Sequence, residues 1–177
     1  MFRKPFIVKK NTNLRNSDIR KLLNRIKDST SETIVVDKKS EVSHVKVESF
    51  LQDEINIYSF EKVPMFFDFS PIGNIYPTVF CLKTHKLAFP VIFVHEPVLS
   101  YLENGADLML PGVVRLEGVE FPDLIRGAPV TIALYSRGKV TGPVAVGCTL
   151  KSTAEMVSCG FQGKGVQVLH VFRDFLW

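Results

Sequence analysis

The sequence predicts an α+β protein in two parts, a small α+β domain over residues 1–88 and a small, closed or nearly closed barrel of short strands over residues 89–177. Three observations lead there. A single helical stripe, Ile19, Leu22, Leu23 and Ile26, stands near the start. Runs with two-residue alternation follow it, joined by short polar links. From about residue 90 the texture changes to brief apolar runs punctuated by Gly and Pro. The 177 residues leave room for one mid-sized or two small domains, and 46% hydrophobic content with 14 Phe can fill real cores.

Each element has its own signal. Phe2, Phe6, Ile7 and Val8 read as a short strand over residues 2–8, interrupted by Pro5. Asn16 or Ser17 suits the cap of a helix starting at Asp18, whose charge favours a helix N-terminus. Arg20, Lys21, Arg25 and Lys27 then occupy the face opposite the apolar stripe. Residues 28–41 read as a connector around Ile34-Val35-Val36. His44–Glu48, Ile55–Phe60 and Val63–Phe69 read as three strands of an antiparallel meander. Pro71–Asn74 punctuates, and Tyr76–Leu82 reads as a further extended element. The boundary falls near residues 83–90.

In the second part Val91–Val94 is apolar and β-branched. Pro97 suits a first helical position, Leu99 and Leu102 fit a short helix, and Asn104-Gly105 is a stop in which Gly takes the left-handed conformation. Leu108-Met109-Leu110 reads as a short strand broken by Pro111-Gly112. Val113-Val114 and Val119–Phe121 flank a loop at Gly118. Pro129–Tyr135 and Val144–Cys148 read as paired strands about a turn at Ser136–Lys139. Ser152-Thr153-Ala154-Glu155 is a capping box. Gly160, Gly163 and Gly165 make a tight loop, and Val166–Phe172 closes the sheet.

Charge is unevenly placed. Residues 1–27 hold nine Lys/Arg against Asp18 alone, whereas the remaining residues hold 13 Lys/Arg and 17 Asp/Glu. A positive end on a faintly acidic body suits phosphates or an anionic surface; a merely solvated helix face is the bland alternative. Cys81, Cys148 and Cys159 have neither metal-like nor redox-motif spacing, which suits a reduced, cytoplasmic protein. No stretch reaches the ~18–20 apolar residues of a membrane span. His44, His85, His95 and His170 are scattered, so no metal, cofactor or catalytic set is expected. Gly160–Gly165 leads into a strand rather than a helix, unlike a nucleotide-binding fingerprint; a tight turn is its plain reading, with Lys164 still able to reach a phosphate.

The word Asn104-Gly105-Ala106-Asp107-Leu108-Met109-Leu110-Pro111-Gly112-Val113-Val114 resembles the central motif of PUA domains, small RNA-binding pseudo-barrels. Ala145-Val146-Gly147 with Ser152–Met156, and Gly163–Val166 leading to Leu169-His170 and Asp174–Trp177, match that family in the same order. Met1–Lys9, Ser17–Leu22 and Tyr76–Val79 are similar to the start of the eukaryotic translation initiation factor 2D (ligatin) family, to which the malignant T-cell amplified sequence protein is related. The chain departs from the family pattern at Gly127, followed by Ala128 instead of Asp, and over residues 32–41, which lack a proline.

The resemblance implies a pre-PUA domain plus a PUA domain in a non-catalytic, monomeric translation factor. Its partners would be the rRNA of the small (40S) ribosomal subunit and the acceptor end of tRNA, with GTP-independent tRNA placement in the P site during initiation or recycling. It implies a tRNA-facing groove at Gly105, Ala106, Met109, Arg115, Lys151 and Lys164. The basic face of Lys9, Lys10, Arg15, Arg20, Lys21, Arg25 and Lys27 is the expected ribosome contact. Members of that family continue with further domains; the apolar ending Phe175-Leu176-Trp177 is expected either to dock on the barrel or to lead into more chain, and a fragment is the favoured expectation. The rival reading is an RNA-targeting subunit or domain of an RNA-modification enzyme; a third is a protein adaptor using the first sheet.

Overall fold

The computed structural model describes residues 2–30, 34, 40–70, 73–85 and 87–177. The element expected around Val35-Val36 and the punctuation at Pro71-Ile72 lie outside these. The chain divides into two compact units: Phe2–Ala88 joined by Phe175–Trp177, and Phe89–Asp174.

In the first unit, β1 (Ile7–Asn13), β2 (Val42–Glu48), β3 (Glu54–Phe60), β4 (Val63–Asp68) and the two-residue β5 (Tyr76–Pro77) form one antiparallel sheet in chain order. Strand one begins later than expected. Pro5 delays it, and the pairing runs through the polar stretch Lys9–Asn13 instead. Helix α1 (Asn16–Thr30) starts two residues earlier than expected, because the Arg15 carbonyl already accepts from the Asp18 and Ile19 N–H groups. Leu22 and Ile26 of α1 are buried against Val42, Tyr58, Met65 and Phe66. The expected strand over Tyr76–Leu82 is instead β5 followed by α2 (Val79–Thr84). Thr78 decides this. Its hydroxyl accepts from the Cys81 N–H at 3.0 Å, an N-cap bond, and donates to the Pro64 carbonyl.

The other face of the sheet is also covered. Phe67 packs edge-on against Phe2 at 5.4 Å, and the Phe175 N–H donates to the Phe2 carbonyl at 2.9 Å. Leu176 is buried and Trp177 meets Phe80 edge-on. The apolar ending therefore packs with the first unit and not on the barrel, one of the two alternatives expected for it.

The second unit contains β6 (Val91–His95), α3 (Val98–Glu103), β7 (Leu108–Met109), β8 (Pro129–Ser136), β9 (Lys139–Thr149), α4 (Thr153–Ser158) and β10 (Lys164–Val171). The sheet order is β6-β8-β9-β10-β7, parallel only between β6 and β8. A 3-10 turn at Leu110–Gly112 carries the chain from β7 back to β6, where Val113 bridges Val94 and the Val114 N–H donates to the Phe93 carbonyl. That return nearly closes the sheet on itself, as the expected pseudo-barrel requires. Ile92, Leu102, Leu108, Val130, Ile132, Ala145 and Val166 fill its core. The β8–β9 hairpin turns on Arg137 and Gly138, both with positive φ, the geometry that matches strand twist. The capping box at α4 is present. The Ser152 backbone N–H, then the Arg126 guanidinium, hold the Glu155 carboxyl down to about 2.

Gly147 sits in close contact between β9 and β10: a Cβ there would lie 2.6 Å from the Gln167 carbonyl oxygen. Backbone cannot yield as a side-chain tip can, so Gly147→Ala should destabilise the second unit by about 1–3 kcal/mol, the range for overpacking. Thermal unfolding should show a lower midpoint for this variant, and an unchanged midpoint would contradict the packing described.

Candidate nucleic-acid interface

In the second unit, one strip collects the residues that the motif singled out. α3 ends at Asn104, and Gly105 (φ 80°) turns the chain into β7. Gly105, Ala106 and Met109 are exposed, while Leu108 between them is buried. Met109 pairs in register with Lys164, at the start of β10. The Lys164 ammonium donates to Asp107 Oδ2 at 3.1 Å. Leu110 is held by the Gly163 carbonyl, and a Cβ on Gly165 would collide with the Leu110 side chain. The glycine loop is thus required for packing β10 against the 3-10 turn.

Lys151 reaches the same loop. Its ammonium donates to the Gln162 carbonyl and to Cys159 Sγ, each at 3.2 Å. Burial raises the Cys159 thiol, but the Gln162 backbone hydrogen bond and the Lys151 charge together outweigh it, so the thiol lies below its ordinary value. Farther along, the Arg115 guanidinium lies 4.8 Å over the Phe161 ring, which meets Phe121 edge-on. The structure therefore brings Met109, Lys151 and Lys164 to one loop, with Arg115 joined through Phe161. Each of the three cations already has a partner. Sequence reasoning passed over Asp107, Cys159 and Phe161. The first lay inside the quoted motif, and the last two lay inside stretches read only as helix end and turn.

The basic face of the first unit is less uniform than its composition. Lys9, Lys10, Arg15, Arg20, Lys21 and Lys27 are exposed. Lys9 pairs with Glu48 at 3.2 Å and Lys21 with Asp18 at 3.8 Å, exposed pairs of small energetic weight. Arg20 and Lys27, two helical turns apart, share one outer stripe. Arg25 departs from the expected solvent face. It donates to Asp68 Oδ2 at 2.9 Å and to the Ser70 and Gly73 carbonyls.

Asp68 is fully buried at the end of β4. Tyr58 Oη donates to its Oδ2 at 2.9 Å and Asn56 Nδ2 to its Oδ1 at 2.7 Å. Because the Asn56 amide nitrogen is committed to Asp68, its oxygen must accept, so His44 Nε2 is the protonated nitrogen of the 2.8 Å His44–Asn56 bond. Burial first, then the Asp68 charge, push the Tyr58 hydroxyl up to about 12. Arg25 is thus a strut between helix and sheet.

Residues 2–85 match the family model described as Pre-PUA-like domain, and residues 89–175 match the one described as elF2D, PUA domain. The chain belongs to the pre-PUA and PUA family of translation initiation factor 2D. Eukaryotic translation initiation factor 2D of Rattus norvegicus is 37% identical over 100% of this chain, and that of Homo sapiens 36% identical. The chain spans only 31% and 30% of those proteins. Translation machinery-associated protein 20 of Schizosaccharomyces pombe is 29% identical over 81% of this chain and 74% of its own. Among solved structures, a PUA domain protein of Aeropyrum pernix K1, crystallised with tartrate, is 28% identical with a TM-score of 0.69 over 97% of this chain and 90% of that one. A hypothetical protein of Pyrococcus horikoshii OT3 is 26% identical, with a TM-score of 0.66 over 95% and 98%. No helix among the described residues is long and apolar enough to cross a membrane.

Two measurements check this geometry. Asp68→Ala leaves the Arg25 guanidinium, Tyr58 and Asn56 without their common acceptor, a loss of about 3–5 kcal/mol. Trp177, the single tryptophan, packs on Phe80 and reports urea unfolding of the first unit by fluorescence; a loss under about 1 kcal/mol would contradict the strut. Cys81 is fully buried, and burial pushes its thiol up to about 12. A thiol reagent near neutral pH should therefore modify Cys159 in the folded protein and Cys81 only on unfolding. Lys151→Ala should slow the Cys159 reaction.

Proposed function

We propose that this chain is a non-catalytic translation-factor module that joins the small ribosomal subunit to a tRNA. The basic stripe of the first unit contacts rRNA through Lys10, Arg15, Arg20, Lys21 and Lys27. The strip around Gly105, Ala106, Met109, Lys151 and Lys164, with Arg115 at its far end, takes the tRNA acceptor end. Together they assist tRNA placement in the P site, without GTP hydrolysis of the chain's own, during initiation or recycling in the cytoplasm. The observation that carries the reading is the chain-long succession of the two family models, together with relatives named as translation initiation factors. Physical support comes from the division of labour among the cations. Arg20 and Lys27 stand free of the fold's interior, where phosphates can neutralise them, whereas Arg25 is spent on Asp68. In the barrel, small residues at Gly105-Ala106 leave the backbone open to close approach, and Met109 and Phe161 offer apolar surface against which unpaired bases stack.

Cosedimentation with purified small subunits tests it. The chain should bind at low salt and lose affinity steeply as salt rises. Arg20→Glu with Lys21→Glu should weaken binding at least about tenfold, with Trp177-detected stability unchanged, since neither side chain is buried. Absence of binding at low salt, or indifference to the charge reversal, overturns the reading.

A further inference from the structure

The strip at Met109 carries a charge pattern ill suited to phosphate. Leu108 is buried, so the two-residue repeat of extended chain turns its neighbours Asp107 and Met109 outward together. Lys164 stands opposite Met109 across the β7–β10 pair, and its ammonium lies 3.1 Å from Asp107 Oδ2. Asp107 Oδ1 has no hydrogen bond among the described residues. Met109 is 47% exposed. A phosphate that reaches the Lys164 ammonium also comes within range of the Asp107 carboxylate 3.1 Å away, and like charges at such range repel.

What fits a polarizable apolar surface flanked by one acceptor and one donor is a nucleobase seen edge-on. We infer that Asp107, Met109 and Lys164 form a base-reading subsite that selects a single-stranded nucleotide whose Watson–Crick edge sets an amino group beside an unprotonated ring nitrogen, cytosine or adenine, over uracil. The inference rests on the proposal that the barrel binds RNA, and it assigns that binding a specificity. The base lies against the Met109 thioether. Asp107 Oδ1 accepts the exocyclic amino N–H, and the Lys164 ammonium, with donors to spare, donates to the adjacent ring nitrogen. Cytosine presents amino N4 beside N3, and adenine presents N6 beside N1. Uracil carries carbonyl oxygens at both ends of its edge, so a carboxylate aimed at its central N–H is pressed against a carbonyl oxygen. Gly105 and Ala106, both exposed, leave room for the sugar of the neighbouring residue.

The test is fluorescence anisotropy of the 177-residue chain with end-labelled oligocytidylate and oligouridylate of equal length. The two carry the same backbone charge, so the salt-dependent part of binding cancels in their ratio. Oligocytidylate should bind about fivefold more tightly, the low end for one well-placed base contact. Asp107→Ala should bring the ratio to near one while raising the affinity for oligouridylate, because a negative charge is removed and Lys164 released. A wild-type ratio of one, or a ratio that Asp107→Ala leaves unchanged, overturns the subsite and leaves RNA binding intact. Failure of both oligonucleotides to bind at low salt overturns RNA binding by the barrel and the subsite with it.

Discussion

The buried carboxylate of Asp68 sets the terms for the first unit. A lone ionised carboxylate is too costly to bury, so it requires donors on every side. The fold supplies them from two elements, Arg25 from α1 and Tyr58 and Asn56 from β3, and His44 of β2 fixes the amide of Asn56. Hydrophobic contacts of Leu22 and Ile26 hold the helix to the sheet but tolerate sliding. The directional bonds to Asp68 specify one rotation of α1 about its axis. That rotation determines which cations face water. Arg20 and Lys27 point outward because Arg25 points in.

The barrel obeys a different constraint, close approach of backbones. Gly147 and Gly165 let β9, β10 and the 3-10 turn meet at distances a side chain would prevent. Once these strands are drawn together, the polar groups at their ends find one another. Lys164 meets Asp107, and Lys151 meets the loop carbonyl at Gln162. The strip is therefore polar and already organised, with little net positive charge. Under the proposed function, affinity there comes from base faces and edges more than from phosphates, whereas the helix face of the first unit is the opposite case.

Much of this was legible in the sequence. The α1 stripe, the meander, the Gly105 stop and the Ser152–Glu155 capping box all emerged from periodicity and local chemistry, because local interactions decide those elements. The errors have physical causes. Tyr76–Leu82 reads as a strand by composition, yet Thr78 can cap a helix as soon as its hydroxyl finds the Pro64 carbonyl, a contact fourteen residues distant in sequence. Arg25 matches its neighbours in charge and helical position, and only Asp68, 43 residues on, separates it from them. Phe161 reads as part of a turn by composition, and only Arg115, remote in sequence, gives its ring a partner on one face. In each case the deciding partner is remote along the chain, which periodicity does not register.

The place of Phe175–Trp177 bears on how the protein is made. These residues belong to the first unit, yet the whole second unit precedes them in the chain. The second unit is thus spliced between two pieces of the first. During synthesis from the N-terminus, Phe2 and Phe67 emerge long before Leu176, so that face of the first sheet has Phe2 but lacks the cover of Phe175–Trp177 until this segment is translated. The barrel has every residue it needs at that moment. The half that is synthesised first is therefore the half that matures last.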